Sequence, residues 1–154
     1  MALALDTVQL THVLTNIGKT YKIKTGVFSY DQLPDSLLGP AGLIINSDIS
    51  TESGEHWTSL YIDRDNKSTY LCSFGIEPYG RIYTFVKNNC WETRFNIKTL
   101  QNPFTNLCSF YCIFHILMRA QGFSLSDIVD IFNPNDPVEN DAKIAQFVLT
   151  YINH

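Results

Sequence analysis

From Leu107 to Met118 the chain reads Leu-Cys-Ser-Phe-Tyr-Cys-Ile-Phe-His-Ile-Leu-Met, an apolar run that wraps all sides of a helix. A helix apolar nearly all round has to be covered on several sides, so a central helix is predicted over 107–121, stopped by Gly122. The other elements must then be arranged around it. Residues 7–17 carry Leu10, Val13, Leu14 and Ile17 at helical spacing ahead of Gly18, which predicts an amphipathic N-terminal helix. Residues 26–34 and the Leu38-Gly39-Pro40 step are turn-rich, and 41–46 reads as a short buried strand bounded by Ser47 and Asp48. After a polar turn through Ser53 and Gly54, residues 56–63 and 69–74 read as a hairpin turning through 64–68. Segments 81–86 and 95–100 fit helix or strand equally. Ser124-Leu-Ser-Asp127 resembles a capping box ahead of a short helix. A last helix near 139–151 places Ile144, Phe147, Val148 and Tyr151 on one face. Helix, sheet, central helix and outer helices make an α+β fold, with the central helix packed on a mixed sheet.

Bulk properties narrow the class. A chain of 154 residues, 45% hydrophobic and 17% charged, suits a single domain over 1–154. A net charge of −4 and a pI near 5.4 argue against a protein that coats nucleic acid, while a local basic groove stays open. No stretch reaches the ~18 to 20 apolar residues of a membrane span, and Met1 to Asp6 lack the basic start of a secretory signal. The expectation is a soluble, intracellular monomer. Cys108 and Cys112 lie one turn apart on one helix, so Cys72, Cys90, Cys108 and Cys112 read as free thiols rather than a disulfide framework.

Chemistry concentrates around the start of the central helix. A thiol there meets the positive end of the helix dipole, which favours thiolate and makes Cys108 a candidate nucleophile. The preceding loop contains Pro103, offers Thr105 or Asn106 as a cap, and holds Gln101, whose amide and the Cys108 N–H could form an oxyanion hole. His56 supplies a base. Each residue has a plainer role open to it: Cys108 as core sulfur, His56 as a half-buried histidine, Trp57 as core, Gln101 as an ordinary loop residue. Cys108, Cys112 and His115 also stand at i, i+4 and i+7, a spacing that could address zinc. Without a second cysteine-rich loop, Cys112 reads instead as core and His115 as a hydrogen-bonded histidine. No metal is expected.

These residues resemble a known family. Gly26-Val-Phe-Ser-Tyr-Asp-Gln-Leu-Pro34, Gly54-Glu55-His56-Trp57, Tyr70-Leu-Cys72-Ser-Phe-Gly75, and Gln101 followed seven residues later by Cys108 resemble the adenovirus endopeptidase (adenain). Similar sets occur in related DNA viruses, virophages and Maverick-like elements. The resemblance spans roughly residues 13–118, and its mark is order: histidine, acid, glutamine, cysteine, whereas papain-type enzymes put glutamine and cysteine first. It implies a papain-like cysteine protease domain of the adenain/SUMO-protease type, with Cys108 as nucleophile, His56 as base and Gln101 as oxyanion donor. Trp57 and Ser109 would flank the substrate groove. The implied activity is cleavage of viral precursor proteins at small-residue or glycine-containing sites during capsid maturation, in the virion or the host-cell interior, without a required cofactor. The wider resemblance admits removal of ubiquitin-like modifiers, with Trp91 at the tryptophan position of that group; a catalytically impaired binding module is the other alternative.

Two positions depart from the family. Cys72 stands where the family has Asp or Glu, so Cys72 becomes the third member, with Asp63, Asp65 and Glu77 as alternative orienting carboxylates. Ser109 stands where the family has Gly. Cys90 lies eleven residues before Gln101, where the resemblance implies a cysteine that pairs with an activating peptide; the plainer reading packs its thiol under Trp91.

Overall fold

Five strands form one mixed sheet whose spatial order follows the chain: β1 Lys24–Ser29, β2 Ala41–Asn46, β3 Trp57–Ile62, β4 Lys67–Leu71 and β5 Glu92–Phe95. The computed structural model describes residues 4–46 and 56–153. The expected turn at Ser53 and Gly54, the strand boundary at Ser47 and Asp48, Glu55 of the family motif and the first three residues lie outside them. β2, β3 and β4 pair antiparallel, and β1 and β5 flank them in parallel.

Both faces of the sheet are covered, and strand alternation divides the core in two. Ile44, Trp57 and Tyr61 face α1 (Thr7–Tyr21), α3 (Cys108–Ala120) and α5 (Pro137–Ile152). Leu43, Ile45, Leu60, Ile62 and Tyr70 face the other way, onto Ile82, Phe85 and Val86 of α2 (Gly80–Asn89). α3 is buried from Cys108 to Leu117, as its all-round apolar sequence requires. The α+β architecture with a central helix on a mixed sheet therefore stands. Among the described residues no helix is long and apolar enough to cross a membrane.

Local readings diverge in informative places. α1 runs through Gly18 and ends at Lys22, which takes a left-handed φ of 58° and donates its N–H to Gly18 O. Gly18 is there for space: a Cβ would sit 2.9 Å from Ile23 O. β1 lies in the segment read as turns, because its strand character comes from pairing with β2. Segment 81–86 is helix, within α2, whereas 95–100 leaves β5 after Phe95. The capping box ahead of α4 (Leu125–Val129) forms as read, with Asp127 N–H donating to Ser124 Oγ and Ser124 N–H to Asp127 Oδ2.

His115, fully buried midway along α3, ties the helix to the sheet. Ser59 Oγ lies 2.7 Å from its Nδ1 and Thr69 Oγ1 2.8 Å from its Nε2. Burial, helped by the nearby Arg119 charge, lowers its pKa to about 3. The folded chain thus holds this imidazole neutral where the unfolded chain, with a value near 6.5, takes up a proton. The associated stability is complete above pH 6.5 and falls by about 1.4 kcal/mol per pH unit below it. Urea unfolding between pH 7 and 5 should show this slope in the wild type and lose it in His115→Gln.

Candidate active site

The α3 run places Cys108 at the first helical position, 5% exposed. Its cap is not the one expected from sequence: Leu107 occupies the N-cap with no side-chain hydrogen bond, because the Thr105 hydroxyl is turned to Asp141 Oδ2 at 2.7 Å. Trp57 N–H donates to Cys108 Sγ at 3.4 Å, and the Ser109 and Cys108 amides also act on the sulfur. Those donors favour the thiolate, yet burial outweighs them and pushes the thiol above its ordinary value. The dipole advantage expected from sequence is therefore not enough by itself. Forming a thiolate here therefore needs a proton acceptor beside the thiol.

β3 begins at Trp57, so the amide that meets Cys108 belongs to the residue directly after His56. His56 Nε2 lies 3.2 Å from Cys72 Sγ, and its ring packs on Phe74 with centroids 5.0 Å apart. The structure thus gathers Cys108, His56 and Cys72 around one strand end. Cys72, just beyond β4, is 1% exposed, and its sulfur meets the backbone amides of Ile76, Phe74 and Gly75. Burial still raises the thiol. The Gly75 amide also donates to Cys72 O at 2.9 Å, which leaves the Ile76 and Phe74 amides to the sulfur. Gly75 closes that turn at φ 74°, where a Cβ would come within 2.7 Å of Ile97 O.

The alternative carboxylates are not at this place. Asp63 lies at the far end of β3, about 20 Å along the strand at ~3.3 Å per residue, facing Arg119 at 4.0 Å. Asp65 sits in the same distant turn, with its N–H donating to Asp63 Oδ1. Glu77 is exposed and lines the cavity beside Cys90.

Gln101 is buried and held at both ends of its amide. Oε1 accepts from Ser73 Oγ at 2.6 Å, while Nε2 donates to Thr105 O at 2.9 Å and contacts Thr105 Oγ1 at 3.3 Å. Ser73 O also accepts from Leu100 N and Gln101 N, so the glutamine loop is stitched to the residue after Cys72. Asn96, buried beyond β5, braces Cys72 from behind: Oδ1 accepts from Cys72 N at 3.1 Å and Nδ2 donates to Cys72 O at 2.6 Å. Sequence reading missed Asn96 and Asp141, and placed Thr105 only as a helix cap and Ser73 only within the Cys72 motif. Their one signal is that α5 carries polar Asn140 and Asp141 where its inward stripe of Ile144 and Val148 would continue apolar.

Other site residues move. The Trp57 ring is 4% exposed and belongs to the core; its backbone, not its indole, meets Cys108 Sγ. Ser109 is 1% exposed, so it does not line an open groove, and its hydroxyl has no hydrogen-bond partner among the described residues. Cys112 is fully buried, and both ring nitrogens of His115 are engaged by hydroxyls. Among the described residues no group of three His, Cys, Asp or Glu side chains could hold a metal ion. Cys90 is half-buried beside a cavity of about 350 Å³ between α2 and β5. Trp91 is 85% exposed, so the thiol is not packed under it. Among the described residues none of the four cysteines forms a disulfide.

By sequence the chain matches no family model and no curated protein. Its architecture has solved counterparts. The crystal structure of ASFV pS273R protease superposes with a TM-score of 0.71 over 94% of this chain, at 14% identity. The chain has the fold of that protease. A selenomethionine form of pS273R protease gives 0.54 over 70% of this chain at 20% identity. The chain spans 66% and 42% of the lengths of those two proteins.

Proposed function

We propose that this chain is a thiol endopeptidase of the adenain/SUMO-protease type. The observation that carries the reading is the placement of His56 and Trp57: one step of backbone puts an imidazole on Cys72 Sγ and an amide on Cys108 Sγ, at the start of the central helix. In this mechanism His56 takes the Cys108 proton and the thiolate attacks the scissile carbonyl. Because burial holds the free thiol high, proton transfer to His56 accompanies attack. Gln101 Nε2 and the Cys108 N–H stabilise the oxyanion, His56 protonates the leaving amine, and water hydrolyses the thioester. Cys72 sulfur takes the orienting place next to Nε2. By resemblance, the substrates are viral precursor proteins cut at small-residue or glycine-containing sites, in virions or infected cells. The cavity beside the Cys90 thiol favours an activating peptide that pairs there.

A peptide library incubated with the wild type and with Cys108→Ala tests the activity. Cleavage at internal small-residue or glycine sites, absent from Cys108→Ala, is the expected result. Cleavage confined to a di-glycine fusion would move the function to removal of ubiquitin-like modifiers. Identical, uncleaved libraries, with and without cysteine-containing peptides that modify Cys90, would leave a binding module.

A further inference from the structure

The loop between Gln101 and Leu107 holds a small turn of its own, with Thr105 N–H donating to Asn102 O at 3.2 Å and Phe104 N–H to Asn102 Oδ1 at 3.0 Å, and a group from outside the loop anchors that turn. The fixing group is a buried carboxylate. Asp141 on α5 is 6% exposed, and among the described residues no Lys, Arg or His lies within ion-pairing distance. A carboxylate in that setting is costly unless donors surround it. Its donors come from the site: Tyr111 OH on α3 at 2.7 Å, Thr105 Oγ1 at 2.7 Å and Asn102 N at 3.4 Å. Its neighbour Asn140 donates from Nδ2 to Leu100 O at 3.0 Å. The first two turns of α5 therefore grip the glutamine loop on both sides of Gln101.

We propose that Asp141 is a positioning residue that sets the Gln101 amide through Thr105. This rests on the reading of Gln101 as an oxyanion donor. The Thr105 hydroxyl has two acceptors in reach, Asp141 Oδ2 at 2.7 Å and Asn102 O at 3.0 Å, and the shorter, charged one takes its proton, which leaves its lone pairs and the Thr105 carbonyl to receive Gln101 Nε2. Ser73 fixes the other end of the amide. One N–H is held by the carbonyl. The second, in the longer contact to the hydroxyl, turns to the oxyanion. Asp141→Asn sets a donor against Thr105 where an acceptor stood, and Thr105→Val removes the hydroxyl at nearly constant shape.

Two reactions at Cys108 separate positioning from general damage. Acylation by p-nitrophenyl acetate passes through a tetrahedral oxyanion as sulfur bonds to the acetyl carbon and p-nitrophenolate leaves. Alkylation by iodoacetamide displaces iodide and forms no oxyanion. With both followed at Cys108 by mass, Asp141→Asn and Thr105→Val should acylate about tenfold more slowly while alkylation stays within about twofold. Thr105→Ser should acylate like the wild type, and Gln101→Ala combined with Thr105→Val should be no slower than Gln101→Ala alone. An equal fall in both reactions, or wild-type acylation of Thr105→Val beside a slow Gln101→Ala, overturns the clamp. Wild-type acylation of Gln101→Ala removes the oxyanion reading itself, and the clamp with it.

Discussion

His56→Ala is expected to lower peptide hydrolysis by about 10³ to 10⁴-fold, with the fold intact. The size follows from the state of the nucleophile. Burial holds the Cys108 thiol above its ordinary value, against three amides that pull the other way, so thiolate is scarce at neutral pH without a proton acceptor. Removing the imidazole deletes that acceptor and the later acid for the leaving amine in one change. His56 is only half-buried and its ring packs on Phe74, so the unfolding midpoint in urea should move little. Turnover kinetics beside urea unfolding check both statements. A variant within tenfold of wild-type turnover would take His56 out of the mechanism.

Cys72→Asp is expected to act in the opposite direction, raising turnover about tenfold or more and shifting the alkylation of Cys108 to lower pH. A sulfur 3.2 Å from His56 Nε2 accepts a hydrogen bond weakly and, as a thiol raised by burial, brings no charge. A carboxylate there would stabilise the imidazolium and with it the thiolate. The desolvation cost of a buried acid is offset by the Ile76 and Phe74 amides that already act on this position. The pH dependence of iodoacetamide labelling, mapped to Cys108, is the decisive measurement. An unchanged profile with unchanged turnover would mean that the residue at 72 does not orient the base. Cys72→Ala should slow turnover, which distinguishes a working sulfur from an empty place.

Sequence reading succeeded where the determining interactions are local or where one property dominates. The α3 run could only be central, and the Ser124 and Asp127 box closes within four residues. The order of His56, Cys72, Gln101 and Cys108 was legible because residue identity carries it. Failure came where partners are distant in the chain. β1 is a strand because β2 lies beside it, against the turn signals of Gly26 and Pro34. Thr105 has the right chemistry to cap α3, but a carboxylate 36 residues away claims its hydroxyl. Asn96 and Asp141 look like ordinary polar residues until the fold buries them against Cys72 and Thr105. Trp57 illustrates a subtler limit, since its backbone reaches the site while its ring serves the core.

The grip of α5 on the glutamine loop also has a consequence in time. Synthesis delivers His56, Cys72, Gln101 and Cys108 to the outside of the ribosome before it delivers Asn140 and Asp141. A nascent chain can pair its strands and form α3 while Leu100 O, Asn102 N and Thr105 still lack their α5 partners. On the proposed reading competence therefore waits for α5, and a nascent chain without it holds Gln101 and Cys108 unclamped.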